Sequence, residues 1–214
     1  LADNDHPQFA SPPCFMHELD PLFRAETEDG QTSQDVGRWR KAQRARLIAE
    51  RLEIPADERA HLSGVIADRL DKETGDPDGR IVSLYWPFRG EPDLRPWMQR
   101  VIDRGGRVAL PVVKAKGEPL EFRLWSPGEK LERGIWNIPV PTAGEPVAPD
   151  IVISPLVGVD AERYRLGYGG GFYDRTIAAL VTKPLVIGVG YKCARLATIY
   201  PQWHDVPMDQ LIVV

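Results

Sequence analysis

Cysteine and histidine are scarce in this 214-residue chain, at two and four residues. Cys14 and Cys193 lie far apart with no CxxC pair, which excludes a disulfide framework and a cysteine-based zinc site. His6, His17 and His61 show no ligand spacing, and His204 beside Asp205 reads as a structural pair. Long apolar runs are missing too. No stretch approaches the roughly 20 residues that cross a bilayer, and residues 1–5 are too polar for a secretory signal, so a cytoplasmic protein with no membrane partner is expected. Nor does one sign of charge dominate: 27 Lys and Arg against 31 Asp and Glu leave −4, which argues against a surface given over to nucleic acid. What remains is ordinary globular composition, 43% hydrophobic and 27% charged, in a length that suits one domain with a sizeable core.

The charge is unevenly placed. Residues 1–35 hold eight acids and one base, Arg24, and so carry −7 of a chain whose total is −4. Four prolines and no sustained period make this segment an extended acidic arm, with residues 36–214 as the domain proper. Asp35 is a plausible N-cap for a basic amphipathic helix over 36–53, with Trp39, Ala42, Leu47, Ile48 and Leu52 as its apolar face. A second helix is expected over 56–73. Strand and helix then alternate: strands at 81–86, 107–113, 120–125, 151–159 and 185–189, helices at 94–102 and 172–181. The runs at 151–159 and 185–189 are apolar throughout, as strands covered on both faces are. The expectation is an α/β domain, Rossmann-like and three-layered, with a mostly parallel sheet flanked by helices and ligands beyond the carboxyl ends of its strands.

The stretch RYRLGYGGGFYDR at 163–175 carries the most chemistry. Gly167, Gly169, Gly170 and Gly171 fall between an expected strand and an expected helix, where glycine lets backbone N–H groups approach an anion and the helix start adds unsatisfied donors. A tight turn is the plainer reading, and neither GxxxxGK[ST] nor a Rossmann GxGxxG is present. Arg163, Arg165 and Arg175 are able to grip phosphate, and Asp174 offers a hard oxygen to magnesium or simply complements the helix dipole. Arg40 and Arg44, four apart, share a helix face that could hold phosphates or be an ordinary basic surface. The wider basic run of Arg38, Arg40, Lys41, Arg44, Arg46 and Arg51 lacks the aromatic platform of an RNA site. Tyr85, Trp86 and Phe88, at the end of the first strand, suit an aromatic wall for a flat ligand.

RLGYGGGFYDR resembles the RLGxGxGYYDR signature of the 5-formyltetrahydrofolate cyclo-ligase family. GEPDL at 90–94, GIWNIPVP at 134–141 and HDVPMD at 204–209 agree in order, so the resemblance covers roughly 38–214. It implies an enzyme that uses ATP and Mg²⁺ to close 5-formyltetrahydrofolate to 5,10-methenyltetrahydrofolate, with the formyl oxygen attacking the γ-phosphate and N10 then attacking the activated carbon. Phosphoryl transfer of this kind needs positioning and charge neutralisation rather than a protein nucleophile, in keeping with the lack of a Ser/His/Asp or Cys/His set. The resemblance places Arg40, Arg44, Arg165, Gly167, Tyr168, Gly169, Gly170, Gly171, Phe172 and Tyr173 around the phosphates. Arg165 and Tyr173 stand at the reacting centre and Asp174 near magnesium. Glu91, Trp136 and Tyr173 fall on the folate side; without the resemblance, Glu91 reads equally as a helix-start carboxylate and Trp136 as a core residue.

Three positions depart from the family pattern. Phe172 replaces the first tyrosine of YYD, Gly170 stands where some members have lysine, and Ala194 stands where a glutamine is common, which would weaken substrate contacts. These departures leave open a diverged relative that binds ATP or folate but acts on another substrate or has no catalytic role.

Overall fold

The computed structural model describes residues 30–214, except for the side chains of residues 30–33 and Trp136. It divides into Leu1–Trp39, of which the described part is a length of helix, and Arg40–Val214, which holds everything else below. In chain order the elements are α1 (Gly30–Glu53), α2 (Ala56–Thr74), β1 (Ile81–Ser83), α3 (Arg95–Asp103), β2 (Arg107–Val113) and β3 (Leu120–Trp125). There follow β4 (Leu131–Arg133), β5 (Pro139–Pro141), β6 (Pro146–Val147), β7 (Ile151–Pro155), β8 (Gly158–Val159) and β9 (Arg165–Leu166). The chain ends with α4 (Phe172–Ala179), β10 (Leu185–Gly190) and β11 (Gln210–Val213).

Seven strands form one sheet in the order β11-β10-β7-β1-β2-β3-β6. The first five are mutually parallel, and β3 and β6 run antiparallel at one edge. Alternation along each strand sorts the core onto two faces. Val82, Ile151, Ile153, Ile187, Val189 and Ile212 pack with Ile66 and Leu70 of α2 and Trp97, Met98 and Val101 of α3. Ile81, Val152, Val186 and Val213 face the other way, against Tyr173 and Ile177 of α4. Helices therefore cover both faces of a mostly parallel sheet, the expected α/β architecture. No helix among the described residues is long and apolar enough to cross a membrane.

β1 and β7 lie side by side, yet the chain leaves β1 toward β2 and leaves β7 toward β10. The connections diverge there, and a crevice opens beyond the carboxyl ends of the two strands.

Several boundaries differ from those expected. Helix α1 begins at Gly30, so Asp35 is an interior residue whose carboxylate pairs with Arg38 three positions on. No proline lies between Pro21 and Asp35 to stop the helix from extending upstream, and the rest of the expected arm lies outside the described residues. The apolar face of α1 is also redrawn. Leu47 is buried, but Ala42 and Leu52 are exposed and Arg51 is 3% exposed. Positions 40, 44, 47 and 51 fall on one helical stripe, so the inward face of this helix carries three arginines. The run at 151–159 breaks after Pro155, since Gly158 and Val159 turn away to pair with β9. β11, which pairs with β10 over Gln210 to Val213, was not expected.

Candidate active site

A cavity of about 560 Å³ lies in that crevice. Lining it are residues at and just past the carboxyl ends of the strands: Tyr85 and Trp86 after β1, Pro155 ending β7 and residues 111–113 ending β2. The volume is ordinary for a small-molecule site.

One end is the glycine loop between β9 and α4. Gly169 has φ +94° and Gly171 φ +61°, a backbone that side chains with a Cβ rarely adopt. Guanidinium groups crowd the same glycines. A Cβ added at Gly167 would lie 2.9 Å from Nη1 of Arg165, one at Gly169 3.2 Å from Cζ of Arg44, and one at Gly171 2.8 Å from Nη1 of Arg175. Three cations thus pack against a bare backbone at the N-terminus of α4, an arrangement built for an anion.

The arginines are held in place. Arg44 donates from Nε to the Gly167 carbonyl at 2.7 Å, leaving its terminal N–H groups for a ligand. Burial, reinforced by Arg40, lowers the Arg44 pKa from its ordinary value, while Asp205 opposes the shift. Arg40 also lines the cavity but is largely committed: to Asp205, to the Ile199 carbonyl at 2.9 Å and to the Tyr200 carbonyl at 2.8 Å. Arg165 bonds Asp174 at 3.1 Å and lies 4.8 Å above the Tyr173 ring. The Tyr173 hydroxyl is buried with no hydrogen-bond partner, and burial pushes its pKa up, so it is a protonated donor inside the cavity. Asp174, expected beside magnesium, accepts from Arg165 through Oδ2 and from the Val206 N–H through Oδ1 at 3.3 Å.

Two departures from the RLGxGxGYYDR pattern turn out to be sterically linked. A Cβ at Gly170 would fall 2.5 Å from the Phe172 ring, so a lysine there requires that ring to move. Arg175 stands over the same ring and donates to the Gly170 carbonyl, which places a cation beside the position that lacks the lysine. Arg163 does not join them: it is exposed and holds the Asp209 carbonyl at 2.7 Å.

The other end is Glu91. Residues 88–91 form a turn closed by the Glu91 N–H on the Phe88 carbonyl at 3.1 Å, with positive φ at both central residues, Arg89 and Gly90. The Glu91 carboxylate folds back to accept the Phe88 N–H at 2.9 Å through Oε2, and the residue lines the cavity. It is 6% exposed. Burial pushes its pKa up to about 7, while Arg51, the Phe88 N–H and Tyr168 hold it from rising further. Tyr85, Trp86 and Phe88 wall this end; Phe88 packs on Tyr168 with ring centroids 5.7 Å apart.

Every residue that the family resemblance places in the site, where its side chain is described, lines one cavity, from Arg40, Arg44 and Glu91 to Arg165, the loop from Gly167 to Tyr173 and Asp174; Arg163 and Arg175 do not line it. The Trp136 side chain lies outside the described residues, but its neighbours Gly134, Ile135 and Ile138 line the cavity. Ala194 does not: it is 4% exposed and packed with Leu156 and Val159 on the sheet's second face. His204, paired with Asp205 at 3.9 Å, also lines the cavity. Arg51 and Asp205 were not anticipated. For Arg51 the 40, 44, 47, 51 spacing was the available signal.

The profile of the 5-formyltetrahydrofolate cyclo-ligase family matches residues 36–214. The chain belongs to that family. It is 32% identical over 145 residues to the 5-formyltetrahydrofolate cyclo-ligase of Mycolicibacterium smegmatis, covering 63% of this chain and 73% of that one. The Escherichia coli K12 cyclo-ligase is 31% identical over 140 residues, covering 61% of this chain and 76% of the other. Among solved structures, the NMR structure of Aquifex aeolicus 5,10-methenyltetrahydrofolate synthetase superposes with a TM-score of 0.70 at 28% identity, covering 81% and 89% of the two chains. The Mycoplasma pneumoniae synthetase shares the fold, with a TM-score of 0.67 at 23% identity. Membership in the cyclo-ligase family makes this a chain from a family of ligases of one-carbon metabolism.

Proposed function

We propose that this protein closes 5-formyltetrahydrofolate to 5,10-methenyltetrahydrofolate, using ATP and releasing ADP and phosphate. One observation carries the reading: a buried carboxylate and an arginine-lined glycine loop open into the same cavity. A pterin presents adjacent N–H donors, and the Glu91 oxygen left by the Phe88 N–H is a matching acceptor between aromatic side chains. Triphosphate oxygens find donors on Arg44 and Arg165 and in the backbone of residues 167–171. The half-burial of Arg40 and Arg44 and the burial of Arg51 turn three bases of α1 inward, which supports a small-molecule site over an RNA surface.

In this reading the formyl oxygen attacks the γ-phosphate and ADP leaves; N10 then attacks the formyl carbon, giving up its proton, and phosphate departs with the formyl oxygen. Arg44 and Arg165 neutralise charge on the transferring group, and the unpartnered Tyr173 hydroxyl donates to the oxygen that becomes phosphorylated. Arg40, braced by Asp205, shapes the wall.

The residues present fit a magnesium ion that arrives with the nucleotide. Among the described residues no group of three or more His, Cys, Asp and Glu side chains could cage a metal, whereas Asp174 provides one carboxylate beside the loop with lone pairs beyond those used by Arg165 and Val206. Asp174 would hold such an ion, which would supply charge neutralisation on the triphosphate.

Purified protein incubated with 5-formyltetrahydrofolate, ATP and Mg²⁺ tests the proposal. Methenyl absorbance should rise only with all three present, in step with ADP. Nucleotide hydrolysis without methenyl product, or no reaction at all, would contradict it.

A further inference from the structure

The two ends of the cavity are joined by a side chain that touches neither proposed substrate. Arg51 donates from Nε to the Arg89 carbonyl at 2.9 Å, from Nη1 to the Leu156 carbonyl at 3.0 Å and from Nη2 to the Tyr168 hydroxyl at 2.7 Å. These partners belong to the Glu91 turn, to the chain just past β7 and to the glycine loop. Arg51 thus bridges three separate segments, and at 3% exposure no water competes for these bonds.

Each bond has a definite consequence. The Arg89 carbonyl belongs to a residue with φ +48°, a conformation disfavoured for a side chain of this size, so the bond from Nε holds a strained turn in place. The Tyr168 hydroxyl accepts from Arg51 and has one proton to give, with the Phe88 carbonyl of the same turn 3.4 Å away. Arg51, Tyr168 and the Phe88 carbonyl thus form one chain from helix α1 through the glycine loop to the turn that would hold the pterin.

We propose that Arg51 is the positioning residue that makes the phosphate end and the folate end of this site a single unit, acting through the Tyr168 hydroxyl on one side and the Arg89 carbonyl on the other. The inference rests on the assignment of folate and ATP made above. A nucleotide that orders the glycine loop fixes Tyr168, and Tyr168 then fixes the Phe88 end of the turn, whose N–H holds the carboxylate that receives the pterin. By linkage the folate favours the nucleotide by the same factor. Arg51 also bears on the charge of Glu91, which is faced by Arg51 and Tyr168, by Arg165 from β9, and by the hydroxyls of Tyr85 and Tyr173. Arg51 and Arg165 are the two cations in that set.

Calorimetric titration of wild type, Tyr168→Phe, Arg51→Met and the double variant with 5-formyltetrahydrofolate decides the matter, with and without saturating Mg²⁺ and a β,γ-imido ATP analogue. In the wild type the analogue should tighten folate binding about fivefold or more. In Tyr168→Phe, which keeps the ring and the fold, that factor should fall to about one. Arg51→Met should weaken both ligands and move the pH midpoint of folate binding upward, and the double variant should be no worse than Arg51→Met alone. A wild type that binds neither ligand overturns the functional reading, and this inference with it. A wild type that binds both, with the coupling factor intact in Tyr168→Phe, overturns the role of Arg51 alone. Should Arg51→Met fail to fold, the Tyr168→Phe factor is the deciding result.

Discussion

Arg165 donates from Nη2 to Oδ2 of Asp174 at 3.1 Å, a buried pair that ties the strand entering the glycine loop to the helix leaving it. Removing one partner leaves the other charge stranded. Arg165→Ala should therefore lose about 3–5 kcal/mol of stability in urea unfolding, and Arg165→Ala/Asp174→Ala should regain much of it. ATP use should not return in the double variant, because the guanidinium and the carboxylate proposed to hold magnesium are both missing. Unchanged ATP kinetics in Arg165→Ala would remove Arg165 from the phosphate site.

Glu91→Gln tests the folate end. An amide presents an N–H where the pterin also donates, so a charge-assisted hydrogen bond becomes a mismatch of about 1.5–3 kcal/mol. Affinity for 5-formyltetrahydrofolate should fall roughly tenfold to a hundredfold, with nucleotide binding nearly intact. Equal folate affinity in the two proteins would leave Glu91 as a structural carboxylate.

The same substitution should change stability in the opposite direction. Burial, partly offset by Arg51, raises the folded-state pKa of Glu91 to about 7 from 4.5, so the folded protein holds a proton that the unfolded chain has released between those values. Stability should be greatest below about pH 4.5, so far as this group is concerned, and fall as pH rises through 7. Above about pH 8, Glu91→Gln should be more stable than wild type by up to about 3 kcal/mol, since each pH unit between the unfolded and folded values is worth about 1.4 kcal/mol. Urea unfolding at about pH 5.5 and about pH 8, on either side of the folded value, measures the difference. A gap that does not widen with pH would contradict it.

Much of this was legible in the residues and some was not. Ile151 to Ser154 are buried on both faces as an unbroken apolar run predicts, and RLGYGGGFYDR falls between a strand and a helix as its glycines predict. The inward face of α1 was not legible, because periodicity looks for apolar residues and this helix turns Arg40, Arg44 and Arg51 inward. Their partners, Asp205, the Gly167 carbonyl and Tyr168, are contributed by chain more than a hundred residues away. Strands β8 and β9 are two residues each, too short to show a period, and β11 depends on long-range pairing with β10. Asp174 reads in sequence as an open carboxylate and in space as the brace of Arg165.

Gly169→Ala and Gly117→Ala separate backbone strain from the loss of an arginine. Both glycines have positive φ, +94° and +87°, so each substitution should destabilise by about 1–2 kcal/mol. A Cβ at Gly117 meets nothing within 4 Å, whereas one at Gly169 meets the Arg44 guanidinium at 3.2 Å. Only Gly169→Ala should raise the KM for ATP. A matching rise in Gly117→Ala would mean that strain alone accounts for the effect.

If the formyl oxygen is phosphorylated in this cavity, between the arginines of the glycine loop and the carboxylate of the 88–91 turn, that oxygen must leave on phosphate. Mass spectrometry of the phosphate released from 5-formyltetrahydrofolate labelled with oxygen-18 in the formyl group reads this out without any variant protein. One labelled oxygen should appear in each phosphate released, at one phosphate per methenyl product. Unlabelled phosphate, with the heavy oxygen recovered in water, would contradict the proposed mechanism.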